Sequence, residues 1–288
     1  MIVARSPAEL EPAERAVALG TFDGVHRGHR AVIDETKATG LRSTVLTFDP
    51  HPRLVLGYEV QLLTTFERRL ELIEEAGPDE ILVVEFTQEL SRREPEEFVA
   101  EYLAAIGATT VVAGEDFRFG AGRRGDVGLL RALGLDVRPV PLLEGVSSSR
   151  IRELVREGDL RTAAGLLGRP FELEGEVVYG EQRGGTLGFP TANLSPDAHL
   201  LVPAYGIYVG EALAHRVAAS IGVNPHYGGS ERRIEAFLLD FEGDLYGTRL
   251  RLELWEKLRE ERAFESEQDL VDQIAADVEA ARRAARPG

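Results

Sequence analysis

The hydrophobic pattern changes near residue 170, and this change constrains the fold more than any single motif. Before it, segments of helical period alternate with apolar runs typical of buried strands, at residues 16–19, 43–48, 81–86 and 110–113. Alternation of this kind favours right-handed crossovers and a parallel sheet with helices on both faces. The first part of the chain is therefore predicted to be an α/β domain.

Beyond Gly168-Arg169-Pro170 the helical periods give way to short runs of alternating residues, at 171–179, 206–213, 217–222, 235–241 and 249–255. Strands at this spacing, separated by glycine and proline turns, predict a small antiparallel β-barrel. Residues 266–286 are predicted to form a terminal helix, capped by residues 266–269, whose apolar stripe packs against the barrel. We expect two domains, residues 1–170 and 171–288, with separable activities.

A glycine-rich turn at residues 20–29, Gly-Thr-Phe-Asp-Gly-Val-His-Arg-Gly-His, links the first buried strand to a helix. Glycine lets the backbone approach a ligand closely, and a helix N-terminus offers unpaired N–H groups to phosphate. If the helix begins near Arg27, His26 and His29 face the same opening. A histidine near a helix start is usually a surface residue, but the strand–turn–helix context favours a nucleotide site.

Three more loops are expected at the same edge of the sheet, where ligands bind in such folds. Residues 49–53 contain two prolines and read either as a stiff strand terminator or as part of a site. The two phenylalanines in residues 114–126 either stack on a ligand or pin the loop to the core. The serines of residues 145–152 either cap a helix or, with Arg150 and Arg152, form an anion cradle.

Composition excludes several classes of function. The 288 residues contain no cysteine, which rules out disulfides, thiolate zinc sites and cysteine nucleophiles. The formal net charge of −16 argues against a nucleic-acid partner. No apolar run approaches the length of a membrane helix, and residues 1–5 do not resemble a signal peptide. We therefore expect a cytoplasmic protein without nucleic-acid or membrane partners.

In the second half, a glycine-rich loop at residues 180–188 leads into Phe-Pro-Thr-Ala-Asn at 189–193. Thr191 and Asn193 alternate, so in an extended chain they face the same way. A hydroxyl and an amide oxygen are hard ligands that suit a Mg²⁺ ion which also holds ATP phosphates. A glycine-rich hairpin alone is weak evidence, but the whole string is specific.

These motifs resemble the prokaryotic bifunctional riboflavin kinase/FAD synthetase family, and the resemblance covers nearly the whole chain. It implies an N-terminal nucleotidyltransferase domain with the HxGH turn and a Rossmann-like sheet, which transfers AMP from ATP to FMN to give FAD. It implies that His26 and His29 are catalytic. Carried over by motif, ATP would be bound by Gly20, Phe22, Asp23, Gly24, His26, His29, Ser147, Ser148, Arg150 and Arg152, and the flavin by Pro50, His51, Asp116, Phe117 and Phe119.

The same resemblance implies a C-terminal riboflavin kinase domain that phosphorylates riboflavin with ATP to FMN. Glu235 would be the base that accepts the proton of the riboflavin 5′-hydroxyl, and otherwise it reads as a rim residue on a strand. Thr191 and Asn193 would hold Mg²⁺ with ATP. The kinase ATP site would comprise Gly180, Arg183, Gly184, Gly188, Pro190, Thr191 and Asn193.

The sequence departs from the family pattern at four places. Ser149 and His226 stand where the family has threonine, and Asp116 stands where asparagine is commoner. The arginine that the family usually carries near Gly185 is either missing or replaced by Arg183. Two alternatives stay open, and only the first of them rests on departures, those at Asp116, Gly185 and His226. One is a flavin-binding or regulatory module, or a kinase with one degenerate site. Another is a nucleotidyltransferase that adenylylates a different nucleotide or pantetheine phosphate, against which the second domain argues.

Overall fold

A computed structural model of the chain describes residues 1–180, 189–223 and 232–287. These residues form two compact units. The first comprises Met1–Val60 and Phe66–Ser147, and the second comprises Gln61–Thr65 and Ser148–Gly288. Five positions discussed above lie outside the described residues: the predicted ATP ligands Arg183, Gly184 and Gly188, and the departures Gly185 and His226.

The first unit is built on six parallel strands. In chain order they are β1 (Ile2–Ala4), β2 (Arg15–Leu19), β3 (Arg42–Asp49), β4 (Glu80–Glu85), β5 (Ala108–Gly114) and β6 (Asp136–Val140). Their order across the sheet is β1-β4-β3-β2-β5-β6, and each neighbouring pair is parallel. Strand order reverses at β2, which places the turn after β2 where ligands bind in open sheets.

Helices cover both faces of this sheet: α1 (Arg27–Ala38), α2 (Pro52–Val55), α3 (Phe66–Glu75), α4 (Pro95–Phe98) and α5 (Val127–Ala132). The α4 helix continues as a π-helical turn over Val99–Leu103 and a 3₁₀ turn over Ala104–Ile106. In β2, Ala18 belongs to one apolar core with residues of α1 and α3, whereas Val17 belongs to another with residues of α4 and α5. Neighbouring residues thus face opposite sides, and the predicted two-faced α/β layering is confirmed.

The second unit contains a closed antiparallel barrel. Its strands are β7 (Phe171–Val178), β8 (Ala192–Pro196), β9 (Gly206–Ala212), β10 (His215–Val223), β11 (Arg232–Leu238) and β12 (Arg249–Arg259). They close in the order β10-β11-β8-β7-β12-β9. This confirms the predicted barrel, although the pattern had missed β8.

Among the described residues of the second unit, three helices accompany the barrel: α6 (Ser148–Glu157), α7 (Leu160–Leu167) and α8 (Glu267–Arg283). The apolar side chains of α6 and α7 share one core cluster with the barrel strands. Ser266 caps α8 by accepting a hydrogen bond from the Asp269 N–H at 3.1 Å, as predicted. Val278 of α8 packs with the buried Trp255 of β12, so the apolar stripe of α8 faces the barrel as expected.

A five-residue segment before α3, Gln61–Thr65, also belongs to the second unit. The Leu62 N–H donates to His199 O at 2.7 Å, and Leu62 O accepts from the Leu201 N–H at 2.8 Å. Thr65 Oγ1 donates to Glu174 Oε2 at 2.6 Å. The division by packing thus falls between Ser147 and Ser148, whereas the boundary between activities near residue 170 stays a prediction. Across the part of the chain that is described, no helix has the length and apolar character needed to span a bilayer.

Candidate active sites

The turn between β2 and α1 follows an unusual backbone path. Phe22, Gly24 and Val25 have positive φ angles of 53°, 80° and 37°. The left-handed region is costly for residues with a side chain, most of all for a β-branched one. The side chains of Phe22 and Val25 are fully buried, so packing holds the turn in this shape. The Phe22 ring thus packs in the core, so Phe22 would contribute its backbone to the predicted ATP site.

The two histidines lie together where α1 begins. The helix starts at Arg27, as the sequence argument required, and His26 is its N-cap. The backbone N–H of His29 donates to Nδ1 of His26 at 3.3 Å, and the two rings stack with centroids 3.6 Å apart. Because Nδ1 of His26 accepts this bond, its neutral ring carries the proton on Nε2, which is a donor suited to phosphate.

Gly28 has a specific steric role between these histidines. A Cβ atom at this position would lie 3.2 Å from both Cε1 and Nδ1 of the His26 ring and 3.8 Å from Val146. Since the His26 ring is also stacked on His29, it has little room to retreat. The glycine therefore allows the His26 imidazole to fold back over the helix N-terminus, which explains the His-x-Gly-His spacing physically.

The loop after β3 carries two of the predicted flavin ligands, Pro50 and His51. The Asp49–Pro50 peptide bond is cis. The buried His51 caps α2, because its Nδ1 accepts a hydrogen bond from the Arg53 N–H at 3.2 Å. Burial raises the pKa of Asp49, against the lowering effect of the Arg69 and Arg5 charges. The loop is thus an ordered helix start as well as a strand end, and its contact with flavin stays a prediction.

The two phenylalanines after β5 have different surroundings. Phe119 is buried and packs against Phe98 at 5.7 Å between ring centroids. Phe117 is half-buried and stacks on Phe119 at 5.7 Å with an interplanar angle of 15°. Asp116, between them and β5, is exposed. Phe119 therefore pins the loop to the core, whereas Phe117 and Asp116 retain surface for the predicted flavin contact.

The serine and arginine residues around α6 are divided between the units. Ser147 ends the first unit, and Ser148, Arg150 and Arg152 lie in the first turns of α6. Arg152 is buried, and its Nε donates to Gln61 O at 2.7 Å. Arg150 forms an ion pair with Glu153 at 3.1 Å. Arg152 thus ties Gln61–Thr65 to α6, and the joint ATP role of these four residues stays a prediction.

In the barrel, strand register brings two predicted site residues together. Glu235 of β11 pairs directly with Asn193 of β8 and, on its other side, with Ser220 of β10. Directly paired residues in antiparallel strands have Cβ atoms about 4.5–5.5 Å apart. Arg233 forms an ion pair with Glu235 at 3.2 Å. The candidate base and a candidate metal ligand thus lie side by side.

The remaining described kinase positions adjoin Asn193. A Cβ atom on Gly180 would lie 2.2 Å from the side-chain nitrogen of Asn193, so this close approach needs glycine. Pro190 and Thr191 line a cavity of about 180 Å³ whose other walls are mostly apolar side chains of β7, β11 and residues 241–246. The hydroxyl oxygen of Thr191 and the amide oxygen of Asn193 fit the ligand chemistry of Mg²⁺.

Sequence reasoning did not identify the acidic neighbour of Glu235. Ser220 Oγ donates to Oε1 of Glu261 at 3.3 Å. Burial raises the pKa of Glu261, and the nearby Glu235 carboxylate adds to this effect, while Ser220 and Arg259 oppose it. The sequence offered no signal for this group, because Glu261 follows β12 and meets β10 only through barrel closure.

Comparison with known proteins matches the two halves of the chain to two different families. The FAD synthetase family model matches residues 8–149, and the riboflavin kinase family model matches residues 167–285. The chain is 36% identical to a bifunctional riboflavin kinase/FMN adenylyltransferase of Listeria monocytogenes over 91% of this chain and 90% of the relative. It is 35% identical to one of Escherichia coli K12, over 94% and 93% of the two chains.

A solved structure agrees over the full length. The crystal structure named as a macrolide-efflux protein from Streptococcus pneumoniae superposes with a TM-score of 0.89 and 31% identity, covering 99% of both chains. At this similarity both the parallel sheet and the barrel have counterparts in an experimental structure. The name of that protein differs from the names of the two enzyme families that match this chain.

Proposed function

Because the chain belongs to the bifunctional riboflavin kinase/FMN adenylyltransferase family, we propose that it makes both FMN and FAD. The barrel phosphorylates riboflavin with ATP, and the α/β unit transfers AMP from ATP to FMN, releasing pyrophosphate. One structural observation supports this division of labour most directly. Each unit brings its own candidate pair together, His26 with His29 and Glu235 with Asn193.

In the kinase reaction, the riboflavin 5′-oxygen attacks the γ-phosphorus of ATP, and ADP leaves. Glu235 takes the hydroxyl proton, and its place beside Asn193 puts this base next to the predicted phosphate end of ATP. Thr191 and Asn193 would hold Mg²⁺, which neutralises charge on the phosphates when it is bound. The cavity beside Thr191 has the apolar walls that a planar heterocycle of a nucleotide requires.

In the adenylyl transfer, a phosphate oxygen of FMN attacks the α-phosphorus of ATP, and pyrophosphate leaves. Both His26 and His29 stand at the N-terminus of α1, where N–H groups and the helix dipole favour negative charge. Their ring nitrogens would donate to the phosphates as charge develops on the leaving group. An in-line displacement of this kind needs no covalent enzyme intermediate.

The flavin of the transfer reaction is assigned to the loops after β3 and β5. Among their predicted ligands, Phe117 supports this assignment best, since its half-buried ring offers a stacking face beside the exposed Asp116. His51 and Phe119 support the loops from the core side. A cytoplasmic location remains a prediction from the sequence.

The direct test is to incubate the purified chain with riboflavin, ATP and Mg²⁺ and to separate the flavins by chromatography. Formation of FMN followed by FAD is the expected result. If FMN forms from riboflavin but no FAD forms, even when FMN is supplied, the chain is a kinase with an inactive first unit. Unchanged riboflavin together with unchanged FMN would mean a flavin-binding module and would overturn the proposal.

A further inference from the structure

A buried arginine in the first unit has no part in the chemistry described so far. Arg69 lies in α3, within the segment Glu-Arg-Arg-Leu-Glu-Leu-Ile-Glu-Glu, where charged residues are usually solvated. Only 4% of its surface is exposed. Its guanidinium also lies 5.2 Å from the centre of the Phe66 ring. Such a placement calls for an explanation, because an apolar residue of similar volume would pack there at lower cost.

The hydrogen bonds of Arg69 lead to the ends of two central strands. Its Nη1 donates to Thr21 O at 3.1 Å, and its Nη2 donates to Phe48 O at 2.8 Å. Thr21 follows β2 and precedes the left-handed turn, while Phe48 lies near the end of β3. The Thr21 carbonyl also accepts from Thr47 Oγ1 at 3.1 Å. The guanidinium thus bridges the two strands where the histidine turn and the loop of Pro50 and His51 begin.

The electrostatic setting shows that this bridge is costly. Burial lowers the pKa of Arg69, and the nearby Asp23 and Asp49 carboxylates oppose that effect. Its Nε atom is buried without a hydrogen-bond partner among the described residues. A buried N–H that lacks a hydrogen-bond partner destabilises the folded state, because it has lost its bond to water. A role in stability alone does not account for a group that is charged, buried and incompletely paired.

We propose that Arg69 is a positioning residue for adenylyl transfer, which holds the Thr21 carbonyl so that the left-handed turn presents His26 and His29 to the phosphates of ATP. Arg69 acts through the turn and does not touch the substrate. The turn needs such a support, because Phe22 and Val25 occupy unfavourable backbone angles that a free chain would leave. The inference rests on the proposed transferase function of the first unit.

The expected effect is on catalysis more than on substrate affinity. The histidines act where charge develops during the reaction, so a displaced turn lowers kcat while the KM values for ATP and FMN change little. A displacement of about 1 Å far from the chemistry costs on the order of a hundredfold in rate. We expect this loss in Arg69→Met, which keeps the apolar stem and removes both hydrogen bonds.

The test compares Arg69→Met and Arg69→Lys with Arg68→Met in the full chain. Arg68 is a matched control because it is also buried, yet its Nη1 bonds Glu71 and Glu75 of its own helix at 2.9 and 2.8 Å. Arg69→Lys keeps a cation that reaches one carbonyl, so we expect an intermediate kcat. Riboflavin phosphorylation by the same molecules reports whether each preparation is active, and thermal unfolding reports the folded fraction.

FAD formation by the wild-type chain is measured first. If the wild-type chain forms no FAD, the proposed transferase function fails. If it forms FAD, the variants test the role of Arg69 separately. A kcat loss in Arg69→Met with partial rescue by lysine, and near-normal transfer in Arg68→Met, supports the positioning role. Transfer within about threefold of wild type in Arg69→Met overturns it. So does a loss in Arg69→Met that Arg68→Met shows equally. If Arg69→Met does not fold, Arg69→Lys decides. A kcat loss at unchanged folded fraction in that variant supports the role, and a normal kcat overturns it.

Discussion

The helices α6 and α7 give a sharp test of where the kinase domain begins. Five apolar residues of these helices share a core cluster with the barrel, and at most 2% of the surface of each is exposed: Ile151, Leu154, Val155, Leu160 and Leu167. Fully burying one such side chain contributes about 1.5–3 kcal/mol, so their burial is worth on the order of 10 kcal/mol. A barrel without these helices loses the part of this burial that lies against its own strands, on the order of 5–10 kcal/mol.

That loss is comparable with the whole stability of a domain, which is about 5–15 kcal/mol. We therefore expect a fragment of residues 148–288 to unfold cooperatively in urea and to phosphorylate riboflavin. A fragment of residues 171–288, which begins at the boundary predicted from the sequence, should be unfolded or strongly destabilised. The comparison is matched, because both fragments lack Gln61–Thr65 and retain every barrel strand.

The riboflavin kinase family model starts at residue 167 and so includes neither α6 nor most of α7. The assay is urea unfolding followed by fluorescence of the buried Trp255, together with the initial rate of FMN formation. If residues 171–288 unfold within about 2 kcal/mol of the longer fragment and have the same rate, the helices are dispensable. In that case the packing argument is wrong and the predicted boundary near residue 170 stands.

Three further predictions concern single side chains. Gly28→Ala should lower FAD formation about a hundredfold, because the added methyl group displaces the His26 ring. The unfolding free energy should stay within about 1 kcal/mol of the wild-type value, because alanine favours the helix. Normal FAD formation would show that Gly28 has no steric role. Glu235→Gln should slow FMN formation by about 10²–10⁴ while FAD formation from supplied FMN continues, and a near-normal kinase rate would show that the base lies elsewhere. Burial raises the pKa of Glu174, but hydrogen bonds from Thr65 and Arg251 and the charges of Arg251 and Arg249 outweigh it and leave the pKa low. The stabilisation from the Glu174 carboxylate is therefore present above the ordinary carboxyl pKa and is lost as the pH falls through the lowered pKa of Glu174. In urea unfolding, Glu174→Gln should cost about 1.5–3 kcal/mol near pH 7 and much less at strongly acidic pH. A cost that does not change with pH would show that the Glu174 carboxylate does not have a lowered pKa.

The sequence predicted the parts of both sites that local pattern controls. The apolar run before Gly20 and the glycines after it placed His26 and His29 at a helix start, because a strand, a turn and a helix each have a local signature. The alternation of Thr191 and Asn193 predicted only that they face the same way in an extended chain, and the strand β8 that carries Asn193 was not predicted. The same reasoning left the role of Phe119 undecided between ligand and core, and packing against Phe98 shows that its ring is in the core.

What the sequence could not predict depends on contacts between distant segments. The pairing of Glu235 with Asn193 follows from barrel closure, which no local period encodes. The transfer of Gln61–Thr65 to the second unit rests on backbone bonds to residues more than a hundred positions away. Sequence alone predicts a solvated helix residue at Arg69, because the carbonyls that it bonds lie in the turn after β2 and in β3.

The two candidate sites are held by different devices, and this predicts different sensitivities. In the first unit a strained turn is supported by packing and, in our proposal, by Arg69. Substitutions in α3 should therefore lower the rate of adenylyl transfer by displacing this turn slightly, without touching the substrate. In the barrel, Glu235 faces Asn193 because of register alone, and its neighbours Ile234 and Ala236 point into the buried core. A slip of β11 by one residue would turn Glu235 towards the core and bring an apolar residue opposite Asn193. Burying that carboxylate is far more costly than leaving it at the surface, so the apolar alternation of β11 that stabilises the barrel also fixes the position of Glu235, the proposed base.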